Sequence, residues 1–340
     1  MGRPCRTIVP ALAGVCAGIA AIAAVAPVGA TVQASGDRPS PAATARALCS
    51  APAGRETGTV ADPALLETSG LVRSRSHAGV LWAHNDSGDS TRVFALDRRG
   101  TPLGTVTVTG ADAVDWEDLA LGRGPGGADH LFLGDIGGGA AGARSTVTVY
   151  RIPEPDPPGA GATTASATAQ AVTLRYPDGA HDAEALLVDD RTGDLVVITK
   201  GTTDAATVYR APGGATAARG TTITVEPVGE LARPVTRDGA RVIQELAGLA
   251  GLADRVAGAD AAPDAGIAVV RTYGGVAVHR WPATRSLAQA LLTRPCAAPA
   301  PADLRFPQGE AIALAPDGLR YLTVAEGANA PLIEVRARRP

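Results

Sequence analysis

The stretch Glu117-Asp118-Leu119-Ala120, followed by His130-Leu131-Phe132-Leu133 and Gly134-Asp135-Ile136-Gly137, holds the pattern from which the rest of the chain can be read. An acidic residue opens a short apolar run and a polar turn follows. A second apolar run returns and ends on an acidic residue in a glycine-rich loop. Short apolar runs bounded by turn residues read as buried strands rather than helices. The same unit stands earlier as Ser69-Gly70-Leu71-Val72, Gly79-Val80-Leu81-Trp82 and His84-Asn85-Asp86-Ser87-Gly88. It recurs as Glu184-Ala185-Leu186-Leu187 with Asp194-Leu195-Val196-Val197-Ile198 and Thr199-Lys200-Gly201. A weaker copy runs from Val256 to Ala261 and on through Gly266-Ile267-Ala268-Val269-Val270 to Arg271-Thr272-Tyr273-Gly274. The last copy is Glu310-Ala311-Ile312-Ala313, Tyr321-Leu322-Thr323-Val324 and Glu326-Gly327.

A third strand follows most copies, as in Arg92 to Leu96, Thr146 to Arg151, Ala206 to Arg210, Gly275 to Trp281 and Leu332 to Arg336. A fourth comes next at Gly104 to Thr109, Ala171 to Tyr176 and Thr222 to Val228. Four strands per repeat, at a spacing of roughly 50 to 70 residues, is the arithmetic of propeller blades. The fold expected is therefore an all-β β-propeller of five four-stranded blades, or six if residues 222–255 form a degenerate one. The chain ends just after the third strand of the last copy, and an open sheet edge invites aggregation. A Pro/Ala-rich arm over 35–62 is expected to supply the missing strand and close the ring of a propeller domain spanning 63–340. Residues 153–169 and 211–220 read as insertions between strands, and short helices fit 241–250 and 285–293.

Arg3 and Arg6 precede an uncharged apolar run from Thr7 to Ala26 that ends in small residues, the pattern of an export signal. A signal peptide over 1–34 implies a secreted, extracellular protein with no stable membrane insertion after cleavage. Of the four cysteines, Cys5 and Cys16 would leave with the signal; Cys49 and Cys296 would remain. An oxidising exterior makes those two a disulfide, closing a loop worth about 4 to 5 kcal/mol on the chain-entropy model. The chain carries 31 basic and 34 acidic residues, and removing Arg3 and Arg6 leaves 29 against 34. That mild acidity excludes nucleic acid as a partner class. Lys200 is the one lysine in a chain whose other cations are arginines. An ammonium on a flexible stem does what a guanidinium fork cannot, which singles it out.

In a four-stranded blade the loop entering the innermost strand and the loop leaving the second strand share one face. Glu117, Glu184 and Glu310 enter innermost strands, whereas Asp86, Asp135, Lys200, Arg271 and Glu326 leave second strands. All eight are expected to ring the mouth of the central channel, with Lys200 facing Glu184 and Asp135. Such a ring suits calcium through its carboxylates, or an anionic ligand through Lys200 and Arg271. It is equally an internal network that pins the blades together. His84 and His181 stand beside Asp86 and Asp182 and are candidate proton carriers near neutral pH.

Ser69-Gly70-Leu71, Trp82-Ala83-His84-Asn85-Asp86-Ser87-Gly88-Asp89, Asp115-Trp116-Glu117-Asp118-Leu119, Gly134-Asp135-Ile136-Gly137 and Gln308-Gly309-Glu310-Ala311-Ile312 together resemble a group of secreted actinobacterial β-propellers of uncharacterised function. More distantly, the chain is similar to the phytase-like propeller superfamily, which includes esterases and phosphatases. Where members of the group carry Asp-Asn after the Gly-Asp-Ile-Gly run, this chain has Gly138 and Gly139, which removes one metal ligand. Two functions stay open. One is a propeller that binds a small molecule or an extracellular protein at its charged mouth; the other is a metal-assisted phosphoester or ester hydrolase of the phytase-like type. Binding is preferred, because a phytase mouth should be strongly basic and here only Lys200 and Arg271 supply cation.

Overall fold

A computed structural model describes residues 1–2, 38–138, 142–159, 165–201, 205–232, 254–299 and 309–340. The chain divides into two compact units, Met1–Asp37 and Arg38–Pro340. Almost all of the expected export signal lies outside the described residues, and the fold is that of the second unit.

Five sheets carry the chain. Blade 1 is β2 (Thr68–Arg73), β3 (Val80–Asn85), β4 (Arg92–Asp97) and β5 (Pro102–Thr109), with β9 (Ala165–Thr168) added in parallel outside β5. Blade 2 is β6 (Trp116–Arg123), β7 (Asp129–Asp135), β8 (Thr146–Pro153) and β10 (Gln170–Arg175), with β14 (Thr222–Thr224) parallel outside β10. Blade 3 is β11 (Ala183–Asp189), β12 (Asp194–Thr199), β13 (Thr207–Ala211) and β15 (Glu226–Glu230). Blade 4 is β16 (Val256–Ala262), β17 (Ile267–Thr272), β18 (Gly275–Arg280) and β19 (Cys296–Ala298). Blade 5 is β20 (Gly309–Leu314), β21 (Arg320–Ala325), β22 (Pro331–Arg336) and, from the N-terminal arm, β1 (Arg55–Thr59). The innermost strands β2, β6, β11, β16 and β20 each touch the next and close the ring.

Small and β-branched residues suit these inner strands, which are covered on both faces. Five apolar clusters follow, one for each junction between neighbouring blades. Trp82 and Trp116 fill the junction of blades 1 and 2, and Trp281 that of blades 3 and 4.

Three local expectations are corrected. The arm is more than a closing strand, because Ser40 caps a helix α1 (Pro41–Cys49) that buries Ala45 and Leu48 between blades 4 and 5. The insertion over 153–169 contains β9, an Ala/Thr segment that pairs with blade 1. The single strand expected from Thr222 to Val228 breaks at Val225, with β14 going to blade 2 and β15 to blade 3. Five blades therefore account for the described sheets, and the first part of the span read as a degenerate sixth blade is absorbed into its neighbours. A short helix α2 (Leu287–Leu291) with a Ser286–Gln289 capping box fills part of 285–293, and the helix expected at 241–250 lies outside the described residues.

Closure is achieved by the arm, as expected. Strand β1 pairs antiparallel with β22 from Arg55↔Glu334 to Thr59↔Pro331. It then leans on blade 1, where Thr59 N–H donates to Arg99 O at 3.0 Å and Ala61 N–H to Gly100 O at 3.1 Å. The approach needs Gly58, since a Cβ there would stand 2.0 Å from the Arg99 carbonyl oxygen. The Cys49–Cys296 disulfide spans 247 residues and fastens α1 to the outer strand of blade 4.

Around the axis, buried polar side chains bind one blade to the next. Asp118 Oδ1 accepts from Leu119 N–H at 2.9 Å, while Oδ2 accepts from Leu186 N–H at 2.9 Å and Ala259 N–H at 3.1 Å. One carboxyl group thus holds β6, β11 and β16. Asp260 accepts from Ala261 and Leu314 N–H, both at 2.7 Å, and so joins blade 4 to blade 5. The Ser69 hydroxyl donates to the Glu117 carbonyl and joins blade 1 to blade 2. Burial pushes the Asp118 acid well above the usual range and that of Asp260 up to about 7. Asp118→Ala would strand three buried N–H donors at about 1 to 3 kcal/mol each. Urea denaturation should show a loss of at least about 3 kcal/mol for Asp118→Ala and a smaller one for Asp118→Asn, which keeps one acceptor. Midpoints within error of wild type for both variants would remove Asp118 as the tie.

Candidate functional site

In every blade the pairing of the innermost strand with the second strand slips near its start. The slips fall between Thr68/Gly70, Trp116/Asp118, Ala183/Ala185, Val256/Gly258 and Gly309/Ile312. The residues taken out of the ladder are Ser69, Glu117, Glu184, Ala257 and, with Ala311, Glu310. A bulge frees its extra residue and re-aims the side chain. Repeating it around a closed ring brings Glu117, Glu184 and Glu310 to one end of the channel. All three are buried.

The second strands reach the same end. Asn85, Asp135, Thr199, Thr272 and Ala325 lie opposite the first residues of the innermost strands. The next position along each chain is Asp86, Ile136, Lys200, Tyr273 and Glu326. Asp86, Lys200 and Glu326 therefore hold equivalent places, whereas Asp135 stands one residue earlier and Arg271 two. Asp135 accepts from Asp115 N–H at 3.1 Å and from Arg144 at 2.8 Å. Arg271 is buried in β17, where its Nη1 donates to Gly275 O at 3.3 Å and its guanidinium covers Gly309. Lys200 pairs with Glu184, as expected, but Asp135 is already engaged by Arg144.

Carboxylates crowd the mouth. Asp86, Asp115 and Glu117 each offer an oxygen, all within 4.8 Å of one another, and Glu117, Asp182 and Glu184 do the same. Glu117 belongs to both groups. Gly137 lies against them, since a Cβ there would stand 2.2 Å from Glu117 Oε1 and 2.3 Å from Asp115 Oδ2. That glycine makes room for acids rather than for a turn. No hydrogen bond from a described residue reaches the Glu117 or Glu310 carboxylate, although Glu117 is 6% and Glu310 3% exposed. Burial, then the neighbouring carboxylates, hold both acids well above the usual range. Burial likewise lifts Glu184 to about 7 against the pull of Lys200, Glu326 to about 7 and Asp86 to about 6.

Both histidines are engaged by other groups. His84 is fully buried opposite Gly70 and edge-on to Trp116, and its Nδ1–H donates to Asn85 O at 2.7 Å. Burial lowers its basicity. His181 Nε2 lies 3.0 Å from Asp178 Oδ1 and 2.9 Å from Tyr209 Oη, with Tyr176 packed against its ring. Asp115 and Asp182 were not among the residues expected at the site. The readable signal was Asp-x-Glu, standing as Asp115-Trp116-Glu117 and Asp182-Ala183-Glu184 at the start of successive blades.

A carboxyl group whose pKa folding raises binds its proton more tightly in the native state, so stability grows as pH falls through the folded value toward the unfolded one. For Asp86, Glu184 and Glu326 that window runs from about pH 7 down to about pH 4. In cation-free buffer the unfolding midpoint should therefore rise between about pH 8 and pH 5. Lys200→Ala should cost about 1 to 3 kcal/mol at the higher pH and much less at the lower one. Coincident midpoints of wild type and variant at about pH 8 would take Lys200 out of the network.

No family model matches the chain, and no curated protein matches it in sequence. Among solved structures it is similar to the glutaminyl cyclase of Myxococcus xanthus, at 14% identity and a TM-score of 0.46 over 84% of this chain and 98% of that one. It is also similar to the PQQ-bound aldose sugar dehydrogenase of Streptomyces coelicolor, at 13% identity and a TM-score of 0.44 over 85% of this chain and 100% of that one. Neither likeness bears on the chemistry of the mouth.

Proposed function

We propose that the protein is an exported binding propeller that holds a divalent cation, calcium above all, in its carboxylate mouth and through it engages a small molecule or a protein outside the cell. The observation that carries this is Glu117, an almost fully buried carboxylate with no hydrogen-bond donor among the described residues and shared by two groups of three acids. Carboxylate oxygens at variable angles suit calcium, which takes about six to eight oxygen ligands in flexible geometry. Lys200 offsets only one of these acids directly. A bound cation would relieve the remaining repulsion. Export is supported by the Arg3 and Arg6 leader pattern and by the disulfide. No helix among the described residues is long and apolar enough to cross a membrane.

A metal-assisted ester or phosphoester hydrolase is the second reading. The acid groups that overlap at Glu117 favour it, because adjacent ions can clamp attacking and leaving oxygens. Binding is preferred because His84, one of the two candidate proton carriers, is fully buried and bonded to Asn85 O, and because only Lys200 supplies a cation at the mouth among the described residues of the ring.

Calcium titrated into chelator-treated protein should raise the unfolding midpoint and give a saturable isotherm. Glu117→Gln should weaken that affinity at least about tenfold. A calcium response no greater than that to sodium chloride at equal ionic strength would overturn the cation site. Calcium-dependent turnover of generic phosphate or carboxylate esters, lost with a chelator, would move the assignment to the hydrolase.

A further inference from the structure

On the face opposite the carboxylate mouth, a cleft of about 750 Å³ opens where blade 5 meets blade 1. Arg55, Arg73, Arg98, Arg99, Arg320 and Arg336 line it, against the carboxylates Glu56, Asp97 and Glu334. Two of those acids are engaged. Asp97 accepts from Arg99 N–H at 2.7 Å and Thr101 N–H at 2.9 Å, while Glu334 pairs with Arg336 at 3.1 Å and Arg55 at 3.7 Å.

Arg73 and Arg320 keep buried N–H groups without an acceptor, whereas Arg98 and Arg99 are exposed. Among the described residues no carboxylate lies within ion-pair distance of Arg73, Arg98 or Arg99, and Asp317 is 3.9 Å from Arg320. Nε and Nη2 of Arg73 and Nε of Arg320 are buried and donate no hydrogen bond. Burial, then the neighbouring guanidinium of Arg320, depresses the basicity of Arg73 against the pull of Glu334, Asp260 and Asp317. The adjoining cavity shares Arg73, Arg98 and Arg320 with the cleft, but its own Arg75 and Arg191 are engaged. There Arg75 reaches Asp190 at 2.7 Å and Asp129 at 3.1 Å, and Arg191 donates to Pro263 O at 2.8 Å and stacks on Trp281 at 4.1 Å. Unfilled donors on two neighbouring, partly desolvated cations lower stability unless an anion lies between them.

We infer that this cleft is a binding site for a phosphate- or sulfate-type oxyanion, with Arg73 and Arg320 as its clamp and Arg98 and Arg99 at its rim. Guanidinium forks match the oxygens of such groups with paired N–H donors, which an ammonium cannot do. The cleft is roomy enough for an oxyanion that carries an organic substituent. Because Arg320 comes from blade 5 and Arg73 from blade 1, a bound anion would also brace the joint of the ring.

The test is thermal unfolding in chloride buffer titrated at constant ionic strength with inorganic phosphate, sulfate or a sugar phosphate. The wild-type midpoint should rise saturably with at least one of these, a larger response to the sugar phosphate marking an ester as the ligand. Arg73→Gln and Arg320→Gln should each weaken the response at least about tenfold. In chloride alone Arg73→Gln should unfold at or above the wild-type midpoint, since it removes one of two neighbouring like charges. Arg75→Gln, whose partners are carboxylates, should unfold earlier yet keep the response. No anion effect beyond ionic strength, a response retained in both clamp variants, or an Arg73→Gln midpoint below wild type in chloride would each overturn the inference.

Discussion

One buried carboxyl group, Asp118, holds the innermost strands of three consecutive blades through three backbone N–H groups. A propeller of five blades has little room at its axis, so groups at the ends of those strands must meet. Bulges at equivalent positions then bring Glu117, Glu184 and Glu310 to a common mouth, where burial and mutual repulsion favour the protonated acids. The tie that sets the fold and the crowding that defines the site are adjacent residues, Asp118 and Glu117.

A formal net charge of −3 conceals a polar molecule. Acids gather at one mouth with Lys200, and arginines gather on the other face at the joint of blades 5 and 1. At the acidic mouth a flexible ammonium reaches one carboxylate without demanding a paired geometry, leaving the other oxygens to a cation. At the joint, planar guanidinium groups present paired donors. The ring closure is part of the second arrangement, because β1 supplies Arg55 while resting on the Arg99–Gly100 turn.

The blades were legible because each repeats the same apolar runs between turns, and the closing strand because the last copy lacks an outer one. The cysteine pair was legible by elimination once the expected leader was set aside. Strand register was not. Asp135 and Asp86 each close an apolar run, yet pairing makes Asp135 the last residue of its strand and Asp86 the first beyond it. The same difference puts Arg271 inside β17 and gives Tyr273 the place at the mouth. Strands β9 and β14 pair in parallel with partners distant in the chain, which no local pattern announces. His84 was read as a candidate proton carrier from its place beside Asp86, but Gly70 opposite leaves space for its ring inside the blade junction.

The most direct measurement is the anomalous difference density of a crystal grown with calcium or soaked in terbium. The mouth should show a peak about 2.3 to 2.6 Å from a Glu117 oxygen, with Asp115 and Asp86 or Asp182 and Glu184 completing the shell. A saturating soak that leaves the mouth without a peak, while Glu117 keeps its position, would contradict the account.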